Sequence, residues 1–264
     1  MSLAGGIIVL VYILAAVFAP WISPYDPFAI DLVNKLQPPS LHHWMGTDDK
    51  GRDILSRIIF GSRLSLTVGF VSVLIGALIG VTLGLISGYY GKLLDSIIMR
   101  FIDVLLAFPG ILLALAIISA LGPDLVNVMI AVGIFSIPTF ARIVRGSTIS
   151  LKKVEYIESI KALGASDIRI IFAHILPNIL SPIIVQGTLR LATAILTAAG
   201  LSFLGMGAQP PSPEWGAMLS NGRTFLWSAP HVATFPGLVI ALIVIGFNLL
   251  GDGLRDALDP RMKV

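Results

Sequence analysis

The sequence predicts an all-α integral membrane protein with six transmembrane helices, and three observations support this. Apolar residues make up 56% of the 264 residues and charged residues only 12%, whereas a soluble domain has about a quarter of its residues charged. The mean hydropathy is +0.91. Six apolar runs reach the roughly 20 residues that a helix needs to cross a hydrocarbon core of about 30 Å. No low-complexity linker or short-period repeat divides the chain, so residues 1–264 are expected to form one transmembrane domain.

The predicted spans follow the apolar runs in chain order. The first run has no positively charged segment before it and no convincing small-residue cleavage site after it, so we expect a retained helix and not a signal peptide. The six spans lie at residues 3–22, 64–88, 97–121, 125–145, 179–204 and 232–251.

Two long polar segments separate spans on the predicted external side. Residues 20–63 begin with a stretch rich in Pro, Ser and Asp, which is expected to cross the outer surface before a short helix begins near Asp48 or Asp53. Residues 205–231 form the second external loop. In that loop, three prolines between Gln209 and Trp215 favour an extended backbone.

The distribution of Lys and Arg predicts that both termini lie in the cytoplasm. With this orientation eleven basic residues face inward and six lie in the two external loops, while Arg190 alone is left within a span. The inward-facing segments are 89–100, 142–176 and 252–264. A charged group near the C-terminus either packs beside segment 150–177 or serves only as a positive anchor: Asp252, Arg255, Asp256, Asp259 and Arg261.

Glycine and proline positions predict how the spans pack and bend. The second span carries Gly76, Gly80, Gly84 and Gly88, a spacing of small residues that lets two helices approach closely in lipid. Packing inside the subunit and contact with another subunit explain this spacing equally well. Three prolines are expected to kink or break their helices: Pro109, Pro138 and Pro182.

A polar insert between the fourth and fifth spans predicts two short amphipathic helices joined by an elbow. Apolar Ile157, Ile160 and Leu163 recur at helical spacing until Gly164, which favours a helix end. Ser166 is a candidate cap for a second helix that ends at Pro177. That helix is expected to carry one apolar side, formed by Ile168, Ile171, Phe172 and Ile175. The insert either lies on lipid headgroups or docks onto another protein.

Within this insert the sequence resembles the cytoplasmic loop of membrane subunits in binding-protein-dependent ABC importers. Glu158, Gly164, Leu176 and Pro177 match the family's Glu-Ala-Ala, three residues, Gly, nine residues, Ile-x-Leu-Pro pattern. The chain departs from that pattern at Ser159-Ile160 and at His174. Three further segments resemble the dipeptide, oligopeptide and nickel importers: GTDDKGRDILSRIIFGSRLSL (46–66), SFLGMGAQPPSPEWG (202–216) and GDGLRDALDPR (251–261).

The resemblance implies a type I permease fold and a set of partners in the cytoplasmic membrane of a prokaryote. These are a homologous second permease subunit, two cytoplasmic ATPases that bind ATP and Mg²⁺, and an extracytoplasmic substrate-binding protein. Segment 150–177 would then be the coupling loop to an ATPase. The residues implied in coupling are Glu155, Glu158, Ala162, Gly164, Ala165, Asp167 and Pro177. The implied cargo is a short peptide, with nickel or a nickel chelate as the alternative.

Two further groups of residues are candidates for function. A charged motif after residue 45 is expected to form an ion-paired surface element that shapes the external mouth or meets the delivering protein, although it also suits a solvated helix start. Its members, with one aromatic residue from the second loop, are Gly46, Asp48, Gly51, Arg52, Asp53, Arg57, Arg63 and Trp215. Arg190 and Asp103 are pathway candidates, because an ionisable residue within a span suggests a bundle-facing or water-facing role. Arg190 either meets a peptide carboxylate or pairs with Asp103 or backbone carbonyls.

The sequence also predicts which activities lie outside this chain. It contains no G-x-x-x-x-G-K-[ST] loop to cradle nucleotide phosphates and no nucleophile with a base, so we expect no enzymatic activity and no cofactor of its own. The four histidines lack zinc-type spacing. The net charge of +3 is spread over loops, which argues against nucleic-acid binding. A gradient-driven transporter and a structural scaffold remain the competing interpretations.

Overall fold

The structure, a computed structural model, describes residues 2–258 and is helical throughout those residues except for loops and one isolated bridge between Thr47 and Asp53. Asp259 and Arg261, which belong to the charged C-terminal group, lie outside the described residues. The α-helices are α1 (Ser2–Ile22), α2 (Ile54–Tyr90), α3 (Lys92–Ala107), α4 (Gly110–Leu121), α5 (Leu125–Lys152), α6 (Glu155–Ala162), α7 (Asp167–Arg169), α8 (Leu180–Phe203), α9 (Trp215–Gly222) and α10 (His231–Leu258).

The predicted all-α membrane architecture is confirmed, with one change to the count of spans. Within residues 2–258, five continuous helical segments are long and apolar enough to cross a bilayer, and a bent pair, α3 with α4, raises the number to six if it counts as one span. Helix α2 begins at Ile54, ten residues before the predicted second span, because Asp53 caps its first turn by accepting a hydrogen bond from the Ser56 N–H. The expected short helix and the second span are therefore one helix.

The predicted third span is broken at Pro109. Helices α3 and α4 meet at 91° across a break of two residues. Phe108, which precedes the proline, adopts an extended backbone with φ −89° and ψ 135°, the conformation that a following proline favours. Pro138 does not end its helix, since it lies inside the continuous α5. Pro182 lies in the first turn of α8, where a missing N–H removes no hydrogen bond.

The glycine series of α2 packs against α5 of the same chain. A Cβ on Gly76 would lie 2.5 Å from the Ser136 Cβ, and one on Gly80 would lie 2.6 Å from the Ile137 carbonyl oxygen. A Cβ on Gly84 would lie 2.6 Å from the Ala141 oxygen. The same close approach continues to Gly88 at the end of the helix. The spacing thus serves packing inside the subunit, which decides between the two alternatives that the sequence left open.

The remaining helices surround this pair. Helix α10 packs against α8 and α1, where a Cβ on Gly5 would lie 2.6 Å from the Leu250 nitrogen. Most of the outer face of α1 is exposed, as expected for a helix that meets lipid, with Leu3 at 78% exposed and Ile7 at 54%. Two groups of residues emerge at opposite ends of the bundle: the arm, defined as residues 150–177, and the loop face, defined as residues 23–53 and 204–230.

The α2–α5 contact predicts a sharp dependence on glycine. Gly84→Ala should lower the free energy of unfolding by roughly 1–3 kcal/mol, because a methyl group has no room against a backbone carbonyl and overpacked contacts cost about that much. The matched control is Gly146→Ala in α5, where a Cβ meets nothing within 4 Å. Thermal unfolding midpoints of the detergent-purified protein measure the difference. Equal midpoints for the two variants would contradict the close packing.

Candidate functional site: the arm and the loop face

The first half of the arm is a short helix that ends in a Schellman motif. Helix α6 ends at Ala162, and Gly164 follows with φ +86°, a left-handed conformation that favours glycine. The Ala165 N–H donates to the Ile160 carbonyl at 3.3 Å, and the Gly164 N–H donates to the Lys161 carbonyl at 3.0 Å. These two bonds satisfy carbonyls that the helix end leaves unpaired. The predicted elbow at Gly164 is confirmed.

The second half of the arm continues into α8 without a stop. One turn of α-helix, α7, passes into a π-helix (Ile170–Ile175) and a 3₁₀-helix (Leu176–Ile179) before α8 begins. Pro177 lies in the first turn of the 3₁₀-helix, so it marks a change of helix type and not the expected interruption. Ser166 occupies the cap position, but its side chain makes no capping hydrogen bond. The predicted position of the cap is therefore confirmed, but the Ser166 side chain does not supply the capping hydrogen bond.

The inner face of the arm packs onto α2 and α5. Ile157 from α6 and Ile170, Ile171 and Ile175 from the second half form one buried cluster with Leu85, Tyr89 and Val144. Four apolar residues of the arm are thus covered by the bundle of the same chain. This contact fixes the arm against the ends of two transmembrane helices, so the arm does not lie as an isolated helix on lipid headgroups.

The predicted apolar side of the second arm helix is divided between two environments. Ile171 and Ile175 are buried, whereas Ile168 and Phe172 are 69% and 62% exposed. Ile168 and Phe172 line an apolar groove of about 560 Å³ whose opposite wall is α2 from Ala77 to Tyr90. Ile171 borders both environments, since it also lines the groove. The predicted apolar side is therefore only partly covered by the bundle.

Tyr89 at the last turn of α2 contacts both halves of the arm. Its hydroxyl donates to the Asp167 carboxylate at 2.6 Å. The Lys152 ammonium donates to the Tyr89 carbonyl at 2.5 Å and stands 5.3 Å from the centroid of the Tyr89 ring. The side of the arm that faces away from the bundle is exposed: Glu155, Glu158, Lys161, Ala162, Leu163, Gly164 and Pro177.

On the loop face, Arg57 ties three segments together from a buried position. Its guanidinium donates to the carbonyls of Pro27 at 3.0 Å, Pro211 at 3.4 Å and Ser212 at 3.3 Å, and its Nε lies 3.5 Å from the Asp48 carboxylate. Arg57 is 1% exposed. A buried guanidinium requires such a complete set of acceptors, since an unpaired buried charge is strongly destabilising.

The neighbouring motif residues form the rest of this buried network. The Asp48 carboxylate accepts from the Arg52 Nε at 2.7 Å, and the Asp53 carboxylate lies 2.9 Å from the His43 Nδ1. Gly51, with φ +74°, leaves no room for a side chain, because a Cβ would lie 1.7 Å from the Asp31 carbonyl oxygen. Gly46 has φ +78°, and a Cβ there would lie 2.5 Å from the Gln37 carbonyl oxygen and 2.7 Å from the His231 ring.

A second buried group joins the loop face to α2. Trp215 is fully buried and its indole N–H donates to the Ile58 carbonyl at 3.0 Å. Glu214 caps α9 by accepting from the Gly216 and Ala217 N–H groups at 3.0 Å and 2.8 Å. Burial raises the pKa of the Glu214 carboxyl, and these two hydrogen bonds act in the opposite direction.

The charged motif is ion-paired as the sequence suggested, but it is neither a surface element nor a solvated helix start. Asp48, Arg52, Asp53 and Arg57 are all buried, because loop segments from both polar regions cover them. Arg63 is exposed. A polar pocket of about 260 Å³ opens above this network and is lined in part by Asp49, Lys50, Gln209 and Asn221.

The two pathway candidates do not pair with each other. Asp103 pairs with Arg142 of α5 at 2.6 Å, and both side chains are more than half exposed. Arg190 instead donates to the Thr139 hydroxyl and stands 5.7 Å from the centroid of the Phe135 ring. The suggested Arg190–Asp103 pair is wrong, because α5 supplies a different partner to each residue.

Sequence reasoning missed a polar cluster at the end of α2. The Arg145 guanidinium donates twice to the Asp95 carboxylate, at 2.6 Å each, and the Ser87 hydroxyl donates to the same carboxylate at 2.5 Å. Together with the Asp103–Arg142 pair, this places two ion pairs between α3 and α5. Asp95 and Asp103 stand eight residues apart, on one face of α3, and this spacing is the signal that could have revealed the pairs.

The described residues hold no group of three or more His, Asp or Glu side chains placed to bind a metal ion. His42 and His43 are adjacent in sequence, yet His43 is engaged by Asp53 and stacks on Tyr25 with ring centroids 4.8 Å apart. In residues 2–258 the structure therefore offers no support for a resident metal.

Comparison with known proteins identifies the family. The sequence model of one protein family, the binding-protein-dependent transport system inner membrane component, matches residues 80–264. The chain belongs to this family. Residues 1–39 match the N-terminal transmembrane domain of oligopeptide transport permease C. The predicted resemblance to ABC importer membrane subunits is thereby confirmed, and the chain is the membrane permease subunit of such an importer, a multi-pass protein whose family works with ATPases and binding proteins.

Relatives of this permease match over its whole length. The dipeptide transport system permease protein DppC of Alkalihalophilus pseudofirmus is 55% identical over 263 residues, which cover 100% of this chain and 86% of the relative. The glutathione transport system permease protein GsiD of Pectobacterium atrosepticum is 54% identical over 266 residues, covering 100% and 88%. The same protein of Escherichia coli O157:H7 is also 54% identical, covering 100% and 87%.

A solved structure supports the permease fold. A chain of the MetNI methionine ABC transporter, in an inward-facing conformation, superposes with a TM-score of 0.63 at 20% sequence identity. The match covers 78% of this permease and 98% of that chain. At this level of identity the likeness concerns the fold alone.

The Arg57 network predicts a strong effect of one substitution on the permease. Arg57→Met should lower the free energy of unfolding by about 3 kcal/mol or more. The substitution removes one partner of the buried Asp48 carboxylate and leaves the carbonyls that Arg57 binds without a donor. Arg63→Met is the matched control, since Arg63 is exposed. Thermal unfolding and hydrogen exchange of residues 204–213 measure the effect. If Arg57→Met unfolds at the same temperature and exchanges at the same rate as the control, the network does not hold the loops.

Proposed function

We propose that this permease forms half of the pathway of an ATP-driven importer of short peptides. In the complex it pairs with a homologous second permease subunit and works with two cytoplasmic ATPases and an extracytoplasmic binding protein. The termini and the arm lie in the cytoplasm, and the loop face lies outside. The single observation that supports this most is the arm itself, a rigid helix pair with a packed inner face and a polar outer face.

The arm has the properties that a coupling element requires. Its inner face is fixed by four buried isoleucines, and its elbow is closed by the Schellman motif at Gly164. Its outer face carries Glu155, Glu158 and Lys161, all exposed. An ATPase that binds this outer face and closes on ATP would move the arm as a body and not melt it. The arm follows α5 and leads into α8 without a flexible linker, so a movement of the arm also moves these two helices of the bundle.

The mechanism follows from this connection. When the ATPases close, the arms of the two permease subunits are drawn together, and the helices that emerge from each arm tilt. Tilting changes which side of the pathway is open, so substrate received at the outer side is released inside. The permease supplies no phosphate-binding loop, and ATP and Mg²⁺ belong to the ATPase subunits in this proposal.

The external and pathway residues then take different roles. The external mouth is supported by a buried layer formed by Asp48, Arg52, Asp53, Arg57 and Trp215. These residues are covered, so the groups that contact a binding protein are exposed ones, such as Arg63 and the rim of the polar pocket. Arg190 points its charge toward Thr139 and Phe135 of α5 and is the better candidate for a substrate carboxylate. Exposed Asp103 already holds Arg142.

Short peptides are the cargo that the relatives favour. The relatives named for dipeptide and for glutathione transport are 55% and 54% identical over all of this chain, and both named substrates contain amide bonds and free carboxylates. Nickel is the weaker alternative, because no group of three metal ligands occurs among residues 2–258. Uptake of a labelled dipeptide, glutathione and ⁶³Ni²⁺ by the reconstituted complex with its binding protein distinguishes these cargoes.

The coupling proposal predicts that Gly164→Arg lowers substrate uptake while the complex still hydrolyses ATP. The new side chain would project from the elbow into the ATPase contact, so ATP-driven dipeptide uptake in proteoliposomes should fall about tenfold or more, equivalent to roughly 1.4 kcal/mol of lost coupling. The variant should still assemble into the membrane.

The control for this experiment is Gly122→Arg. Gly122 also has a positive φ, +98°, and open space around a Cβ, but it lies in the turn between α4 and α5, on the opposite side from the arm. Its uptake should stay near that of the unsubstituted permease. If Gly164→Arg transports like Gly122→Arg, the arm is not the coupling element.

The proposed orientation predicts opposite labelling of two exposed sites. The chain contains no cysteine, so Glu158→Cys on α6 and Trp227→Cys on the loop face each introduce one reactive thiol. A membrane-impermeant maleimide should label Trp227→Cys in intact cells and Glu158→Cys only after permeabilisation. Leu41→Cys, also on the loop face and 93% exposed, should behave like Trp227→Cys. The reverse pattern would invert the topology and exclude an ATPase at the arm.

A further inference from the structure

The arm is joined by the chain itself to α5 and α8, but it has no covalent link to α2. Helix α2 nevertheless has extensive contact with α5 through its glycine series. Any motion of the arm must therefore either carry α2 along or slide past it. The contacts at the end of α2 decide which of the two occurs.

We propose that Tyr89 is a positioning residue that locks the arm to α2, so that the arm, α2 and α5 move as one body during the transport cycle. The proposal rests on the proposed function of the arm as the coupling element. Tyr89 is 3% exposed, and its ring packs among the isoleucines of both arm halves. Its hydroxyl donates to Asp167 at the start of the second arm half, and its carbonyl accepts from Lys152 near the first residue of the arm.

The chemistry of these two contacts supports a lock. A hydroxyl that donates to a carboxylate forms a charge-assisted hydrogen bond, which is stronger than one between neutral groups. The acceptor, Asp167, is the first residue of α7, where the helix dipole also favours a negative charge. Because the Ser166 side chain makes no capping bond, the bond between Tyr89 and Asp167 is the side-chain contact that anchors the start of the second arm half.

The N-terminal end of the arm is held by the ammonium group of Lys152. The Lys152 ammonium donates to the carbonyl of Tyr89 and lies over its ring. This carbonyl belongs to the last turn of α2, whose four terminal carbonyls lack partners within the helix. A cation at a helix C-terminus is also favoured by the dipole. Tyr89 thus binds Lys152, before α6, and Asp167, after the Gly164 elbow. Both ends of the segment 152–167 are held by one residue of α2.

The test uses Tyr89→Phe, which keeps the ring in the apolar cluster and deletes only the hydroxyl. The matched control is Tyr90→Phe, on the adjacent residue, whose ring stands edge-on to Tyr89 with centroids 5.2 Å apart. The readout is the number of ATP molecules hydrolysed per labelled dipeptide imported by the full complex in proteoliposomes. We expect this ratio to rise about threefold or more for Tyr89→Phe, since one charge-assisted hydrogen bond shifts a two-state equilibrium by roughly tenfold, and to stay unchanged for Tyr90→Phe.

A double-mutant cycle tests whether Asp167 acts through Tyr89. Asp167→Ala should raise the ratio as Tyr89→Phe does, and the double variant should match either single variant. Additive effects would show that the two residues act independently and would overturn the lock.

A distance measurement separates the lock from a merely structural role. Spin labels on Arg169→Cys in α7 and Ile79→Cys in α2, in a complex whose other subunits are free of cysteine, report whether the arm and α2 move together. With Tyr89 present, the distance distribution should stay narrow and unchanged when ATP and the dipeptide-loaded binding protein are added. With Tyr89→Phe it should broaden on ATP addition. A distance that already changes in the unsubstituted permease would overturn the lock.

The outcomes also distinguish this proposal from the one on which it rests. If the unsubstituted complex shows no ATP-dependent uptake of dipeptide, glutathione or ⁶³Ni²⁺, both proposals fail. If uptake is ATP-dependent and Gly164→Arg abolishes it, while Tyr89→Phe keeps the unsubstituted ratio and distances, the coupling arm stands and the lock alone fails.

Discussion

The close backbone contact between α2 and α5 is the constraint on which the rest of this structure depends. In lipid there is no water for two apolar helices to expel, so dispersion contacts between closely approaching backbones hold them together. Glycines 76, 80, 84 and 88 bring α2 within contact distance of α5 carbonyls along more than three turns. The glycine series ends at Gly88, next to Tyr89, which contacts the arm. Because α5 leads into the arm and α2 leads out of the loop face, one helix pair joins the two functional ends of the molecule.

The loop face depends on buried polar contacts instead of apolar packing. Arg57 has acceptors in residues 23–53 and in residues 204–230, so two loops that are far apart in sequence share one charged anchor. Such a network is strongly destabilised by the loss of one partner, and it therefore holds the loops in one arrangement.

The arm combines these two principles. Its apolar inner face is held by isoleucines, and the hydroxyl and the carbonyl of one tyrosine bind Asp167 after the elbow and Lys152 before α6. Ile168 and Phe172 face a groove beside α2, while Glu155, Glu158 and Lys161 of α6 stay exposed. The arm thereby presents different chemistry to the bundle, to the groove and to the solvent.

The sequence by itself determined the features that depend on neighbouring residues. Hydropathy located the apolar spans, Asp48 and Asp53 were the two candidates for a helix start that the structure places at Asp53, Gly164 marked the elbow of the arm, and Pro109 marked a break, because caps, left-handed turns and missing N–H groups act within a few residues. Motif spacing also indicated the family. Only the tertiary structure decided which partner each residue meets. It packs the glycine series on α5 and buries the charged motif after residue 45. It also pairs Asp103 with Arg142 and not with Arg190, and it brings Tyr89 into contact with Asp167. These partners lie tens of residues away, and the choice among them depends on how the helices pack together, which no local pattern records.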